Sequence, residues 1–530
     1  MSTDRAADLA QPSPAAAAAP WLAAAAGGAL YCLAFVGFGV WPLIAVFLVP
    51  FWWAVEGLRE RGWLRVALAG LVFGTVAHTG GHAWLLRLVE VFLGGDRLLG
   101  ATLFVVHGLW FATGFAAYAL AFAWARRRGV AFAIAAIAPM IVLEWVQVQI
   151  FPVHAGSALS GVTRLVQIAD LGGPLLLSTF VLAIGVTVYE TLAWLRGVRP
   201  RPLGAWIGAA TLVVAVLLYG AVRTRLVEAR IAEAPVLRVG LVQANLAVLE
   251  KRTHAREGHA AHVELTRALL AEAPLDLVVW PETAELRAIR GPLPVSGRLV
   301  AEDLDVPLLF GGTLVHSADG RRVRANSAFL VAPDGMIHEA YQKNLLIPLA
   351  EWVPGAGVVP ALAERLPHVQ AFRASTETPA LTLDGLRIVT PICYEAVRPG
   401  FVRTMVEATN PHLLVTLAND AWFGDSQEPW MHLQLARLRA VEHRRFLVRA
   451  TNSGISALVD PLGRIVARTD LLARQTLHGV VHPLAGRTLY ARLGDWPGPL
   501  AAAVFGAAML WPRRSDAGAR GGPRTSAAHR

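Results

Sequence analysis

The stretch LRIVTPICYEA, residues 386–396, begins as an apolar run and ends in a cysteine, a tyrosine and a glutamate. An apolar run of this length, bounded by Gly and Pro, is typical of a buried strand. Cys393 therefore lies where a strand ends, which is where α/β domains bring side chains together around a substrate. The chain has only 2 cysteines, which cannot build a disulfide framework, so the sequence predicts that Cys393 is a free thiol.

Apolar runs of strand length recur on both sides of this stretch. They are VLRVGLVQANL, LDLVVWPET, VPLLFGGTL, SAFLVAPDG, HLLVTLAND and SGISALVDPLG. Helical patterns separate several of them, at residues 254–273 and 428–446, and in the second Leu433, Ala436 and Ala440 recur on one face. Strands that alternate with helices predict an α/β layered domain, which we place at residues 223–495.

The rest of the chain has the composition of a membrane protein. Of its 530 residues 55% are hydrophobic and 16% are charged, and the mean hydropathy is +0.48. The net charge of +10 does not indicate nucleic acid, because the arginines lie mostly between apolar runs and not in tracts with aromatics. Anionic lipid headgroups are the partner that this arrangement favours.

Eight apolar segments are candidates for membrane spans. The segments are 21–38, 40–56, 66–84, 98–125, 131–149, 174–194, 203–222 and 496–511. We expect a polytopic α-helical bundle with seven spans at residues 1–222 and a final span with a basic tail at 496–530. The first span is not read as a cleaved signal peptide, because its flank is weakly basic and a second span follows at once.

Arginines in the short loops predict the topology. They follow the second, fourth and sixth spans and the last one, at Arg59, Arg61, Arg65, Arg126, Arg127, Arg128, Arg196, Arg199, Arg201, Arg513, Arg514, Arg520, Arg524 and Arg530. The positive-inside rule then puts both termini in the cytoplasm and residues 223–495 on the outer face, which in a bacterium is the periplasm. The sequence thus predicts a multi-pass protein of the bacterial inner membrane.

Three strand-end segments carry groups suited to acyl transfer. Glu282 ends LVVWPE, Lys343 lies in YQKNLLIPLAEWVP, and Cys393 ends LRIVTPIC. Glu282 could accept the thiol proton, and Lys343 could favour the thiolate and stabilise an oxyanion together with a backbone N–H near Tyr394 or Glu395. Each residue alone has a plainer interpretation, as a buried strand cysteine, a turn carboxylate or a surface lysine.

At these residues the chain resembles a known superfamily. WPE at 280–282, YQK at 341–343 and CYE at 393–395 are similar, in order and spacing, to the Glu–Lys–Cys signature of the carbon–nitrogen hydrolase (nitrilase) superfamily. LIPLAEWVPG at 346–355 and NDAWFGDS at 419–426, in a domain between membrane spans, resemble the bacterial apolipoprotein N-acyltransferase family. The fold implied is a membrane bundle plus an extramembrane αββα nitrilase-like domain.

The resemblance also implies a reaction and a set of roles. Cys393 would take an acyl chain from a phospholipid, typically phosphatidylethanolamine, as a thioester, and the α-amine of diacylglyceryl-cysteine on an apolipoprotein would attack it. Glu282 would be the general base and Lys343 the oxyanion stabiliser. Glu351, Tyr394 and Glu395 match supporting positions of the substrate pocket, and Trp422 falls in a motif expected near its lipid-facing entrance.

Two residues depart from the pattern of the family. Leu345 stands where the family usually has His, and Ala350 stands where it usually has Gly. Neither belongs to the triad, so we expect changes in the surroundings of the site and in substrate preference.

Two other classes of function remain open at this point. A membrane-anchored amidase or nitrilase would share the triad and let water resolve the thioester, but it would not need seven preceding spans. A non-catalytic receptor or scaffold would have no reason to keep Glu282, Lys343 and Cys393 together. We expect no cofactor and no metal, since His432, Glu442 and His443 do not match a familiar ligand spacing. A monomer is the default expectation.

Overall fold

A computed structural model gives the architecture of the chain. It describes residues 14–511 except 36, 93–95, 247–254, 319, 349, 357, 360, 365–368 and 370. The five arginines of the basic tail, and with them most of the predicted segment 496–530, lie outside the described residues.

Sixteen α-helices are present in the described part of the chain. They are α1 Pro14–Ala34, α2 Leu48–Leu58, α3 Trp63–Gly81, α4 Trp84–Phe92, α5 Arg97–Arg127, α6 Phe132–Val146, α7 Thr163–Val166, α8 Ala169–Leu195, α9 Leu203–Glu233, α10 Ala255–Glu272, α11 Arg298–Ala301, α12 Ala361–Glu364, α13 Pro399–Thr409, α14 Glu428–His443, α15 Leu489–Leu493 and α16 Pro497–Leu510. Short 3₁₀ helices lie at Trp41–Ala45, Arg59–Arg61, Ala155–Gly161, Cys393–Val397 and Asp420–Trp422.

Every predicted span coincides with a helix, although the bounds differ. Within the described residues, five helices are long and apolar enough to cross a membrane: Ala15–Ala34, Trp41–Arg61, Arg97–Arg127, Ala169–Leu195 and Leu203–Glu233. The segments Phe132–Val146 and Pro497–Leu510 are apolar but shorter. The span predicted at 66–84 is α3, whose glycines, threonines and His78 make it less apolar than those five.

The strands form two sheets. They are β1 Leu237–Gln243, β2 Leu277–Val279, β3 Ile289–Arg290, β4 Val295–Ser296, β5 Leu308–Ala318, β6 Arg321–Val331, β7 Met336–Gln342, β8 Leu381–Leu383, β9 Leu386–Val389, β10 Leu413–Ala418, β11 Leu447–Thr451, β12 Ala457–Val459, β13 Ile465–Arg468 and β14 Gln475–Val481. The first sheet has the order β14-β1-β2-β5-β6-β7-β4, with β3 beside β5, and the second has the order β13-β12-β11-β10-β9-β8. Both sheets mix parallel and antiparallel pairs.

Side chains that point alternately to the two faces of each strand give the domain its layers. In β2, Leu277 and Val279 join an apolar cluster that also holds residues of the second sheet, such as Val415. Val278 between them points the other way, into a separate cluster that includes Val263 of α10. Because successive strand side chains face opposite sides, one sheet face packs on the other sheet and its back packs on a helix. The predicted αββα layering is confirmed.

This layering brings the ends of several strands to one place. Glu282 comes three residues after β2, Lys343 directly follows β7, and Cys393 comes four residues after β9. Strand β10 pairs in parallel with both β9 and β11, so Asp420, just beyond β10, belongs to the same edge. The candidate catalytic side chains therefore lie together at the carboxyl ends of strands from both sheets.

Candidate active site

Lys343 is the centre of the site. Its Nζ lies 3.1 Å from Glu282 Oε1 and 2.9 Å from Glu351 Oε2, and the residue is 1% exposed. Burial by itself lowers the pKa of this ammonium, but the carboxylates of Glu282 and Glu351 outweigh burial and raise the pKa well above its usual value. Lys343 is therefore a permanent buried cation held between two acids.

Asn326 holds the same two acids from the adjacent strand. Its Nδ2 donates to Glu282 Oε1 and to Glu351 Oε1, both at 2.8 Å. Glu282 can approach because a glycine lies behind it: a Cβ on Gly311 would come within 2.6 Å of the Cα of Glu282. The positions of both carboxylates are thus determined by an amide, a lysine and a glycine that leaves room.

Cys393 is the first residue of a short 3₁₀ helix, in the turn that follows β9. Its φ is +51°, in the left-handed region, and its side chain is buried. Burial raises the pKa of the thiol well above its usual value, and Glu282 raises it further while Lys343 opposes both. Cys393 therefore lies near enough to Glu282 and Lys343 for their charges to act on its thiol. The resting sulfur is a neutral thiol that needs a base before it can attack.

Glu395 ties the cysteine turn to the loop after β7. Its carboxylate accepts hydrogen bonds from the Tyr341 hydroxyl at 2.7 Å and from the N–H groups of Asn344 at 2.6 Å, Leu345 at 3.0 Å and Ile392 at 2.8 Å. Burial raises the pKa of this carboxyl to about 7. Leu345 contributes through its backbone, so its departure from the family pattern leaves this hydrogen bond in place.

A cavity of about 760 Å³ lies beside the cysteine turn. Its lining includes Val148 and Ile150 from the loop after α6, Leu345, Trp352 and Tyr394. The walls are mostly apolar, and they come from both the loop between helices α6 and α7 and the sheet domain. Such a shape and lining suit an acyl chain.

The cavity and the cysteine turn are linked through two side chains. Arg398 donates from Nη1 to the carbonyl of Gln149 at 2.6 Å and to the hydroxyl of Tyr394 at 3.2 Å. The ring of Phe151 packs edge-on against Tyr394, with centroids 5.7 Å apart. The loop between membrane helices therefore contacts the residue next to Cys393 directly.

The predicted site residues differ in what they contact. The structure brings Glu282, Lys343, Glu351 and Cys393 into one cluster, with Glu395 anchored next to it. Tyr394 faces the cavity. Trp422, like Tyr394, packs against the apolar cluster formed mainly by the membrane helices.

Comparison with known proteins identifies the family. Residues 238–483 match the model for Carbon-nitrogen hydrolase, and residues 27–187 match the Apolipoprotein N-acyltransferase N-terminal domain. The chain is similar to the Apolipoprotein N-acyltransferase of Azotobacter vinelandii, with 34% identity over 516 residues covering 94% of this chain and 96% of the relative. The chain belongs to the apolipoprotein N-acyltransferase family. It is similar also to the Pseudomonas putida member, with 31% identity covering 90% of this chain and 93% of that one.

Among solved structures, the chain is similar to Saccharomyces cerevisiae Nit3 of the nitrilase superfamily. The identity is 17% and the TM-score is 0.37, covering 47% of this chain and 90% of that one. Membership of the apolipoprotein N-acyltransferase family makes this protein an acyltransferase embedded in a bacterial membrane. The predicted enzyme class is therefore confirmed.

Sequence reasoning missed several members of the site. Asn326 lies in RANSAF, a segment with no motif that indicates a site, and Tyr341 enters the sequence prediction only as part of YQK. Asp420 and Arg449 form a fully buried ion pair at 2.7 Å next to the site. The sequence feature that could have indicated this pair is Arg449 in the otherwise apolar segment FLVRAT, because a buried strand seldom carries an arginine without a partner.

Proposed function

We propose that this chain moves a fatty acyl chain from a phospholipid, with phosphatidylethanolamine as the expected donor, to the N-terminal amine of diacylglyceryl-cysteine on apolipoproteins. The supporting observation is the buried Glu282–Lys343–Glu351 cluster around Cys393, placed beside an apolar cavity that a loop between membrane helices helps to line. A hydrolase of soluble amides would have no use for such a cavity. The apolar wall, to which Val148 and Ile150 of the loop after α6 contribute, favours acyl transfer over the membrane-anchored amidase.

In the first half of the reaction, Glu282 accepts the thiol proton of Cys393. The thiolate attacks the ester carbonyl of the phospholipid, and Lys343 with the N–H of Tyr394 stabilises the oxyanion. When the tetrahedral intermediate collapses, the C–O ester bond breaks. The lysophospholipid oxygen leaves with the proton that Glu282 returns to it, and the acyl chain remains on sulfur as a thioester.

In the second half, the α-amine of the lipoprotein replaces the lysophospholipid. The amine attacks the thioester carbonyl and gives up a proton to Glu282, an amide bond forms, and the C–S bond breaks. Lys343 stabilises the departing thiolate before Cys393 is protonated again. Glu351 helps Glu282 to hold Lys343 in place, since both carboxylates contact the same Nζ.

The organisation of the chain in the membrane follows the same proposal. Residues 1–222 form the spanning domain, 223–495 the periplasmic catalytic domain and 496–530 the last span and cytoplasmic tail, with both termini in the cytoplasm. Both substrates are anchored in the outer leaflet, so a site next to it turns a search in three dimensions into a local encounter. We propose a monomer that acts without a cofactor or metal.

The deciding experiment is the intact mass of purified protein after incubation with phosphatidylethanolamine in nanodiscs. We expect one added acyl chain on the Cys393 peptide, removed by hydroxylamine, and no adduct on Cys393→Ala. A diacylated lipopeptide should then discharge the adduct onto its amine. Discharge by water at the same rate without the lipopeptide would favour the amidase. An unmodified Cys393 in folded protein would overturn the proposal.

A further inference from the structure

His432 lies directly behind the cysteine turn, on helix α14. Its Nε2 is 3.2 Å from the carbonyl oxygen of Cys393, and its Nδ1 is 2.9 Å from Asp420 Oδ1. The other oxygen of Asp420 accepts from Arg449 Nη2 at 2.7 Å. His432, Asp420 and Arg449 are all buried, so water does not compete for these hydrogen bonds.

The two contacts of His432 determine its protonation. A carbonyl oxygen can only accept, so Nε2 must carry a proton toward Cys393. Arg449 Nη2 donates to the other oxygen of Asp420 at 2.7 Å, and this fully buried guanidinium favours the carboxylate over the acid, so Asp420 also only accepts. Nδ1 must then carry a proton as well. An imidazole that donates from both nitrogens is an imidazolium cation.

The surroundings of His432 agree with a cation and not with a metal ligand. Glu428 Oε1 lies 3.9 Å from Nδ1, but burial and the charge of Asp420 raise the pKa of Glu428 well above its usual value, so Asp420 is the counter-charge of the ring. Asp420, Glu428 and His432 have ligand atoms near enough to surround an ion. However, both nitrogens of His432 are used as donors, so neither offers a lone pair to a metal, and Arg449 already places a positive charge against Asp420.

The held carbonyl belongs to a constrained part of the backbone. Cys393 has φ of +51°, a conformation that residues with a Cβ seldom adopt and that neighbouring contacts must hold in place. The carbonyl of Cys393 and the N–H of Tyr394 are parts of one planar trans peptide, so they point in opposite directions. A donor that holds the carbonyl therefore also sets the direction of the N–H.

We propose that His432 is a positioning residue of the acyl-transfer site: as an imidazolium anchored by Asp420 and Arg449, it holds the Cys393 carbonyl and thereby aims the Tyr394 N–H at the oxyanion. This inference rests on the proposed function for the identity of the reaction. His432 touches no substrate. It acts on the transition state through the peptide that follows the nucleophile.

Two substitutions of similar size separate this role from packing. In His432→Gln the side-chain amide nitrogen lies near the position of Nε2 and can still donate to the Cys393 carbonyl. In His432→Asn the amide nitrogen lies near the position of Nδ1 and reaches only toward Asp420. His443→Asn, on the same helix, is the matched control, since neither ring nitrogen of His443 has a hydrogen-bond partner among the described residues.

The rate of acyl-thioester formation on Cys393 is measured in nanodiscs over a range of phosphatidylethanolamine fractions. We expect His432→Asn to lower the maximal rate roughly 10- to 100-fold with an unchanged KM, less than the ~10²- to 10³-fold loss for removing an oxyanion donor outright. His432→Gln should recover most of the rate, and His443→Asn should match wild type. Equal rates for the Gln and Asn variants would overturn the inference.

A second readout does not depend on activity. In wild-type protein with ¹⁵N-labelled histidine, the signal of His432, assigned by its loss in His432→Gln, should show protons on both ring nitrogens at neutral pH. A signal with one unprotonated nitrogen would refute the imidazolium. If wild-type protein forms no adduct at all, the proposed function fails. Normal acylation with a neutral His432 would defeat this inference alone.

Discussion

At the residue scale, Lys343 is one of only two lysines in a chain rich in arginine. Its compact ammonium fits between Glu282 and Glu351. A planar guanidinium needs more room and points its donors in fixed directions. We therefore expect Lys343→Arg to lose acylation of Cys393 by at least ~10²-fold, as expected when an oxyanion donor is misplaced.

Lys343→Met tests the charge of the same residue. Removing one partner of a buried ion pair costs about 3–5 kcal/mol, because two carboxylates then remain buried without a cation. The thermal midpoint in detergent should fall sharply for Met and less for Arg, while both variants lose activity. An active, fully stable Lys343→Met would contradict the assignment of Lys343 as the central cation.

Glu395 predicts a pH dependence of stability. Burial raises the pKa of this carboxyl to about 7 in the folded protein, above its value in an unfolded chain. Folding thus favours the protonated form, so the stability contributed by Glu395 is complete below the unfolded pKa and is lost as pH rises through about 7. Thermal midpoints of wild type should decline from about pH 5 to about pH 8 relative to those of Glu395→Gln. Parallel curves would show that Glu395 does not titrate in this window.

Part of the site follows from local sequence and part does not. Glu282 and Cys393 could be predicted to meet, because each follows an apolar run of strand length and strand ends gather at one edge. Lys343 follows β7, MIHEAYQ, which is not such a run, so its place in the site was indicated by the family resemblance of YQK. Asn326 and His432 could not be predicted, since one lies inside a long hairpin strand and the other on a helix 39 residues from its partner Cys393. The roles of Asn326 and His432 depend on which strand and helix faces pack against each other in the folded protein.

At the scale of elements, the membrane helices α3 and α5 pack closely against each other. A Cβ on Gly70 would lie 2.5 Å from the Cα of Ala116, and one on Gly74 would lie 2.5 Å from the Cα of Ala112. Small residues four apart on facing helices let the backbones approach, which is how helices associate where lipid gives no hydrophobic driving force.

This contact predicts opposite effects for the same change at two glycines. Gly70→Ala forces the helices apart and should destabilise the fold by about 1–3 kcal/mol. Gly208→Ala on α9 meets nothing within 4 Å, so it should be neutral or add up to about 1 kcal/mol through helix propensity. Thermal midpoints of the two variants in the same detergent check the pair. Equal midpoints would mean that α3 and α5 are not closely packed.

The sequence predicted the type of most helices and strands, but it predicted their first and last residues less accurately. The segment 203–222 was expected to end at the membrane surface, but α9 continues to Glu233 because no glycine or proline interrupts RTRLVEARIAE. The segment 174–194 begins earlier, at Ala169, with non-helical backbone at Gly172 and Gly173. The strands that were not predicted are β3, β4, β7, β8, β11, β13 and β14. Four of them, β3, β4, β8 and β13, have two to four residues, which carry too little periodicity, and polar residues interrupt the apolar pattern of β7, β11 and β14.

At the scale of the whole molecule, a buried polar junction joins the membrane helices to the catalytic domain. Asp170, near the start of α8, accepts from Arg444 at 2.9 Å, from Arg223 at 2.7 Å and from the Tyr219 hydroxyl at 2.7 Å. Arg444 also donates to the carbonyl oxygen of Gln167 at 3.0 Å. Arg444 follows the helix that carries His432, so the junction fixes the orientation of that helix relative to the membrane.

Asp170→Asn should therefore weaken the docking of the two parts. It leaves the guanidinium of Arg444 buried without its counter-charge, which costs about 3–5 kcal/mol for a buried pair. The control is Glu228→Gln, which breaks the half-exposed ion pair with Arg464 and should change stability by less than about 1 kcal/mol. Limited proteolysis in nanodiscs should cleave Asp170→Asn faster between the membrane helices and the sheets, with acylation of Cys393 slowed in parallel.

Because His432 acts through the backbone of the cysteine turn, loosening of α14 should have the same kinetic effect as His432→Asn, a lower maximal rate with an unchanged KM. A variant with faster cleavage and unaltered acylation would show that the cysteine turn keeps its geometry independently of the junction.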